Sequence, residues 1–164
     1  MITLVLAASV DGVIGNKGKL PWKLPNDMRH FIELTKNKTV VMGRKTWDSL
    51  PTCPLPNRTN IVLTREKNIS FPGALTSNNY KEIIEYAKDK EVCIVGGAEI
   101  YKLFAPYADT IELTLVDGHI KGDCVIDYTI FEGFELINST FNYRDARHMY
   151  NYMFITMKKI SNNG

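Results

Sequence analysis

The chain has 164 residues, 45% of them hydrophobic and 23% charged, with 20 basic and 18 acidic side chains for a formal net charge of +2. A chain of this length buries roughly two-thirds of its unfolded surface, so it needs no staples, and its composition reads as a globular protein and not as an intrinsically disordered chain. The charge is too small to argue for nucleic acid but suits a small anionic ligand, while 3 cysteines without a CxxC pair argue against a disulfide framework or a zinc site.

Residues 2–8 form an apolar run suited to a strand buried on both faces. The run lacks a basic leader and is too short to span a bilayer. Membrane and secreted readings are therefore set aside, and the reducing cytoplasm is the expected location. A loop follows, punctuated by Gly12, Gly15, Gly18, Pro21 and Pro25. Asn26 is placed to cap a helix in which Asp27, Met28, Phe31, Leu34 and Thr35 share one face. Residues 39–42 read as a strand ending at Gly43, with a short helix through Trp47, and the three prolines of 51–57 make a loop.

A strand over 59–64 precedes a helix over 80–88, whose inner face is Ile83, Ile84 and Ala87. Another strand, 92–95, closes at Gly96-Gly97 before a helix over 98–104. Residues 111–116 are strand-like, as are 134–141 and 150–157, with no helix between the last two. Strand–helix alternation ending in a hairpin predicts one α/β domain over residues 1–160. Its central sheet is mostly parallel with an antiparallel C-terminal edge and flanking helices, and 161–164 form a flexible tail. Ligands of such sheets gather at the carboxyl ends of the strands.

Several of those ends carry polar chemistry. At Gly43-Arg44-Lys45-Thr46 the cations oppose the helix dipole, so they are either an anion site or two solvated cations in a turn. Gly96-Gly97-Ala98-Glu99 carries neither common phosphate-loop fingerprint, and is either tight strand–helix packing or a close approach to a ligand. Leu63-Thr64-Arg65 ends a strand in a hydroxyl and a guanidinium, whose fork suits a phosphate monoester. Together they suggest a nucleotide with several phosphates, and Arg65 points to the 2′-phosphate of NADP. Asp27 is the candidate acid. It is either a carboxylate favoured by the helix N-terminus or, on an apolar face, one with a raised pKa. His30, His119 and His148 have no metal spacing.

The chain resembles dihydrofolate reductase of the chromosomal bacterial type over essentially its full length. The likeness lies in the order and spacing of Ala7 through Asp11, Val13-Ile14-Gly15, Leu20-Pro21-Trp22, Leu24-Pro25, Asp27 and Phe31. It continues through Val41-Met42-Gly43-Arg44, Thr46-Trp47, Leu55-Pro56, Arg58, Asn60-Ile61 and Leu63-Thr64-Arg65. Val95-Gly96-Gly97, Ile100-Tyr101, Leu113-Thr114 and Gly122-Asp123 complete it.

The resemblance implies NADPH-dependent reduction of dihydrofolate. Asp27, backed by Thr114, would hold the pterin, and Trp22 and Leu20 would join it as catalytic residues. Val5, Ala7, Met28, Phe31, Leu50, Val95 and Tyr101 would line the substrate pocket, and Arg58 would take the α-carboxylate of the glutamate tail. Arg44, Lys45, Thr46, Thr64 and Arg65 would bind the cofactor's adenosine phosphates, beside Gly43 and Leu63. Gly96, Gly97, Ala98, Glu99, Ile100 and Tyr101 would border its nicotinamide and pyrophosphate, with a cis peptide at 96–97. Residues 13–22 would form a mobile loop bringing Ile14, Gly15, Asn16, Gly18, Lys19 and Leu20 to the cofactor, which Ala7 also meets. The likeness further implies a monomer that binds antifolates such as methotrexate or trimethoprim, with no metal ion, nucleic acid or membrane partner. Its departures are His30 in place of a bulkier aromatic, a longer 51–54 segment, Cys124-Val125-Ile126-Asp127 after Gly122-Asp123, and Leu20 where Met is frequent. A pyrimidine reductase of riboflavin synthesis, with the same fold and cofactor, and a catalytically idle homologue are the rival readings.

Overall fold

The computed structural model describes residues 1–161; residues 162–164 of the expected tail lie outside the described residues. Strand β1 (Ile2–Ser9) is buried at every position except the half-buried Ala7. Its alternation divides the core. Ile2, Leu4, Leu6 and Ala8 join one apolar cluster with Ile83 and Phe104. Val5 points the other way, into a cluster with Val40, Met42, Phe31 and Leu34. Side chains alternate faces with a period of two, so β1 is the spine on which both layers are built. Each fully buried Leu or Val side chain contributes about 1.5–3 kcal/mol relative to exposure.

After β1 come β2 (Val13–Gly15), helix α1 (Pro25–Thr35), β3 (Thr39–Gly43), α2 (Arg44–Ser49), β4 (Thr59–Leu63), β5 (Leu75–Ser77), α3 (Tyr80–Tyr86) and β6 (Val92–Ile94). Helix α4 (Ala98–Phe104) runs into a 3-10 turn, Ala105–Tyr107, and is followed by β7 (Thr110–Asp117) and β8 (Cys124–Val125). A second 3-10 turn, Tyr128–Phe131, precedes the hairpin of β9 (Phe134–Asn142) and β10 (Asn151–Lys159). The 8-stranded sheet has the order β5-β4-β3-β6-β1-β7-β10-β9. Every neighbouring pair is parallel except that β10 runs antiparallel to both β7 and β9. This is the mixed α/β architecture expected from the element order. The carboxyl ends of β1, β3, β4, β6 and β7 therefore open on the same edge.

Three details differ from the sequence expectations. Asn26 does not cap α1: the cap position is Leu24, without a side-chain hydrogen bond, and Pro25 opens the helix. Proline fits there because its missing N–H needs no partner in the first turn. Met28 leaves the inner face and is 48% exposed. At about 100° per residue the inner stripe is Asp27, Phe31, Leu34 and Thr35, and Met28 falls on its flank. The loop over 13–22 is partly ordered, since β2 pairs antiparallel with β8. Asn16 and Lys19 then close a tight turn with reciprocal backbone bonds of 2.8 and 3.0 Å. Lys17 and Gly18, with φ of 51° and 76°, supply the two positive φ angles of such a turn.

Candidate active site

Asp27 sits in the first turn of α1 and faces β7. The hydroxyl of Thr114 donates to its Oδ1 at 2.6 Å, and Thr114 is itself buried. Register places Thr114 between Ala7 on β1 and Phe154 on β10. The acid is thus enclosed by the helix on one side and three adjacent strands on the other. Burial raises the pKa of Asp27, and the Thr114 hydroxyl offsets part of that rise. A carboxylate so placed favours a ligand that brings a cation and N–H donors.

Around this acid the structure gathers most of the expected pocket. Val5 is buried in a cluster against which Phe31, Leu50 and Val95 pack. Ala7 packs with Trp22, Leu24, Val116 and Tyr152 on the other side. Met28, from its flank position, belongs to the rim. Tyr101 is buried and its hydroxyl donates to the Val5 carbonyl at 2.7 Å. Its pKa is strongly raised, first by burial and then by the charges of Cys124 and Asp27. Trp22 is also buried, and its Nε1–H has no partner among the described residues. A buried donor of that kind is satisfied by water or ligand. Leu20, 49% exposed, stands at the outer edge of the loop.

At the far end of α1 the Arg58 guanidinium is held in place. Its Nε donates to Thr35 Oγ1 at 2.9 Å and Nη1 to the Pro56 carbonyl at 2.9 Å. Thr35 Oγ1 in turn donates to the Phe31 carbonyl at 2.8 Å. The remaining N–H groups of the fork suit a carboxylate.

The β3–α2, β4 and β6–α4 ends form the second half of the site. The Gly96–Gly97 bond is cis, and the Gly43 N–H donates to the Gly96 carbonyl at 2.9 Å, joining two of these ends. Gly96 has φ 129°, and a Cβ there would approach Thr46 Oγ1 at 3.2 Å and the Tyr101 hydroxyl at 3.4 Å. Ala98, Glu99 and Ile100 follow as the first turn of α4, and the Ile100 side chain lies against Gly43. Leu63 ends β4 and Thr64 follows it; the Thr64 N–H donates to the Ser77 carbonyl and its hydroxyl accepts from the Glu66 N–H at 3.2 Å. Lys45 and Arg65 are exposed and make no ion pair among the described residues. Arg44 instead pairs with Glu66, and more loosely with Asp48 at 3.8 Å. Glu66 was not anticipated from the sequence; an acidic residue one position after Arg65 gives no sign that it folds back onto Arg44.

Ile14 and Gly15 lie on β2, and Asn16, Gly18 and Lys19 on the tight turn beyond it. This loop is anchored by Asp123, whose Oδ2 accepts from the Lys17 N–H at 3.0 Å. A Cβ on Gly122 would meet the Gly15 carbonyl oxygen at 2.5 Å, so the close approach of the two segments requires glycine. The segment after Gly122-Asp123 continues as β8 and pairs with the loop. His30 stacks on Phe154 at 3.9 Å between ring centroids, and burial lowers its pKa.

The donor set fits NADPH. Cations on the adjacent ends of β3 and β4, with glycine-lined backbone beside them at the ends of β3 and β6, match a phosphorylated dinucleotide. All three cysteines are unbridged. Among the described residues no group of His, Cys, Asp and Glu is arranged to hold a metal ion, and no helix is long and apolar enough to cross a membrane.

Comparisons with known proteins identify the family and the fold. A family model described as dihydrofolate reductase matches residues 1–159. Dihydrofolate reductase of Bacillus subtilis is 32% identical over 160 residues, 97% of this chain and 95% of that protein. The Enterococcus faecium protein of the same name is 35% identical over 164 residues, covering 98% of each chain. The Mycobacterium tuberculosis H37Rv protein is 43% identical over 119 residues, 71% of this chain and 72% of its own. Among solved structures, dihydrofolate reductase from Enterococcus faecalis, complexed with NADP(H) and RAB-propyl, superposes with a TM-score of 0.90. It is 32% identical and covers 98% of this chain and 97% of its own.

Proposed function

The chain belongs to the dihydrofolate reductase family, and from that premise we infer that the Asp27 cleft carries out its NADPH-dependent reduction of 7,8-dihydrofolate to 5,6,7,8-tetrahydrofolate. The single observation that supports this reading is the half-buried carboxylate of Asp27, held by Thr114 at 2.6 Å beneath an apolar pocket. The product feeds one-carbon and thymidylate metabolism. NADPH, when bound, supplies the hydride that goes to C6.

The chain's own residues do the rest by position and field. Asp27 and Thr114 hold the 2-amino group and N3 of the pterin, and the carboxylate charge favours the form protonated at N5. The apolar walls of Val5, Ala7, Phe31, Leu50 and Val95, with Met28 at the rim, exclude water and strengthen that charge interaction. The proton for N5 comes from water, and the buried Nε1–H of Trp22 is a donor able to order one beside Asp27. Leu20 covers the approach. Arg58 fixes the substrate by its glutamate carboxylate. Arg44, Lys45, Thr46, Thr64 and Arg65 hold the adenosine phosphates. Gly43, Leu63, Gly96, Gly97, Ala98, Glu99, Ile100 and Tyr101 shape the channel between the two halves, and Ile14 through Lys19 close over it.

Residues 1–160 act as one catalytic domain, monomeric and cytoplasmic, and the same cleft takes methotrexate or trimethoprim. Absorbance of NADPH after adding dihydrofolate to the purified protein tests the reading. Rapid oxidation that methotrexate abolishes is the expected result. A folded protein that binds NADPH yet leaves it unoxidised would return the reading to an idle homologue or a pyrimidine reductase.

A further inference from the structure

His148 is 1% exposed in the turn between β9 and β10, and its imidazole reaches across the molecule to α1. Its Nδ1 lies 2.7 Å from Asp145 Oδ1. A carboxylate only accepts, so Nδ1 carries a proton. Its Nε2 lies 3.2 Å from the backbone N of Asn26. A backbone N–H only donates, so Nε2 carries none. The two contacts together select the neutral Nδ1–H imidazole. Asp145 Oδ1 also accepts from the backbone N–H groups of Arg147 and His148, both at 2.9 Å, so one oxygen fixes the turn and the ring together.

The recipient of this bond is the residue directly before Asp27. First-turn N–H groups of a helix lack a helical partner, and the Leu24 cap position supplies no side-chain acceptor. His148 provides one from the other end of the chain. The Asn26 side chain is held as well, since Nδ2 donates to the Tyr152 hydroxyl at 3.0 Å. The Tyr152 ring stacks on His148 with centroids 5.2 Å apart. Two residues along β10, Phe154 stands opposite Thr114, the hydroxyl that binds Asp27. The turn and β10 thus grip both the helix that carries the acid and the strand that supports it. Among the described residues Asp145 is the one charged group hydrogen-bonded to the ring; Tyr152 is the titratable group stacked on it from β10, and the hydrogen bond it takes from α1 is that of the Asn26 backbone amide.

We propose that His148 is a positioning residue for substrate binding, a neutral imidazole that accepts from the Asn26 amide and so fixes where α1 places the Asp27 carboxylate. This rests on the assignment of Asp27 to the pterin. A merely structural residue would affect stability and both substrates alike. A positioning residue acts on dihydrofolate and spares NADPH, whose cations lie on other strand ends.

The test compares His148→Gln and His148→Asn with the parent for both KM values and for Tm. Glutamine places its amide oxygen near the Nε2 position and keeps the acceptor; asparagine is too short to do so. Losing the acceptor and leaving a half-buried N–H unmatched raises the dihydrofolate KM about tenfold in His148→Asn. His148→Gln stays within about twofold of the parent, by the same accounting. NADPH KM is unchanged in both. Equal dihydrofolate KM in all three proteins, or equal weakening of both substrates, overturns the proposal. Should His148→Asn not fold, imidazole 15N spectra of the unaltered protein decide the matter. A proton on Nδ1 and scalar coupling between Nε2 and the Asn26 amide nitrogen are expected, and an Nε2–H ring or an imidazolium at neutral pH overturns the proposal. Asp27→Asn, measured alongside, separates the two levels. Unchanged dihydrofolate binding in Asp27→Asn removes the assignment of Asp27 itself. Weakened binding there with a normal His148→Asn removes only the role of His148.

Discussion

Replacing Asp27 with asparagine keeps the shape of the site and an acceptor for the Thr114 hydroxyl at 2.6 Å, but deletes the charge. A carboxylate about 4 Å from a protonated pterin is worth on the order of 4 kcal/mol at an effective dielectric near 20. At 1.36 kcal/mol per pH unit that is roughly three units of proton affinity. Desolvation of the pair reduces it, so kcat/KM for Asp27→Asn at neutral pH falls about a hundredfold to a thousandfold. As the pH is lowered the solution supplies the proton that the missing charge no longer attracts. The parent loses its own advantage over the same range, because Asp27, raised by burial, takes up a proton. The gap between parent and mutant therefore narrows in acid. Stopped-flow measurement of NADPH oxidation with dihydrofolate, from neutral pH downward, reads both profiles. A mutant as active as the parent at neutral pH, or two profiles that stay parallel, would refute the reasoning.

Asp27→Asn should also stabilise the fold at neutral pH. With its folded pKa above the ordinary 3.8, Asp27 binds a proton more readily folded than unfolded, so the parent loses stability as pH rises through that window. The urea midpoint of the mutant should exceed the parent's at neutral pH and match it well below pH 3.8, and equal midpoints throughout would show that burial imposes no penalty. Arg65→Ala should raise the Kd of NADPH more than that of NADH through loss of a 2′-phosphate contact; equal losses would give Arg65 another role. Glu66→Gln should tighten NADPH by about twofold to fivefold, the scale of an exposed ion pair, by releasing Arg44 from Glu66. High salt should erase that gain, and a loosened complex would mean that Glu66 helps to hold the cofactor.

The sequence revealed the parts of the fold whose cause is local. Strand β1 is legible because apolar residues on both faces leave no solvent side, and β3, β4 and β6 because each ends at a polar or glycine junction. The C-terminal hairpin is legible because no helical spacing separates its strands. What escaped was set by partners distant in the chain. Asn26 reads as a cap by residue type, yet its amide is claimed by His148 and its side chain by Tyr152. His148 has no metal spacing, and nothing near it in sequence announces that its ring meets α1. Strands β2, β5 and β8 are two or three residues long, too short for a periodic pattern, and exist through pairing alone. Asp27 itself lies between two readings on spacing; its contact with Thr114 on β7 and its raised pKa come from a strand distant in the chain and so leave no local sign in the sequence.

The central claim is that a half-buried, ionisable Asp27 recognises the pterin by charge. Carboxyl 13C NMR of Asp27, titrated in the protein alone and in complex with methotrexate, tests it directly. The account predicts a pKa above the ordinary carboxylate range without ligand, because burial disfavours the charged form, and a fall in the complex as a cationic ring comes to face the carboxylate. An Asp27 that titrates like an exposed carboxylate, and is unmoved by the ligand, would contradict it.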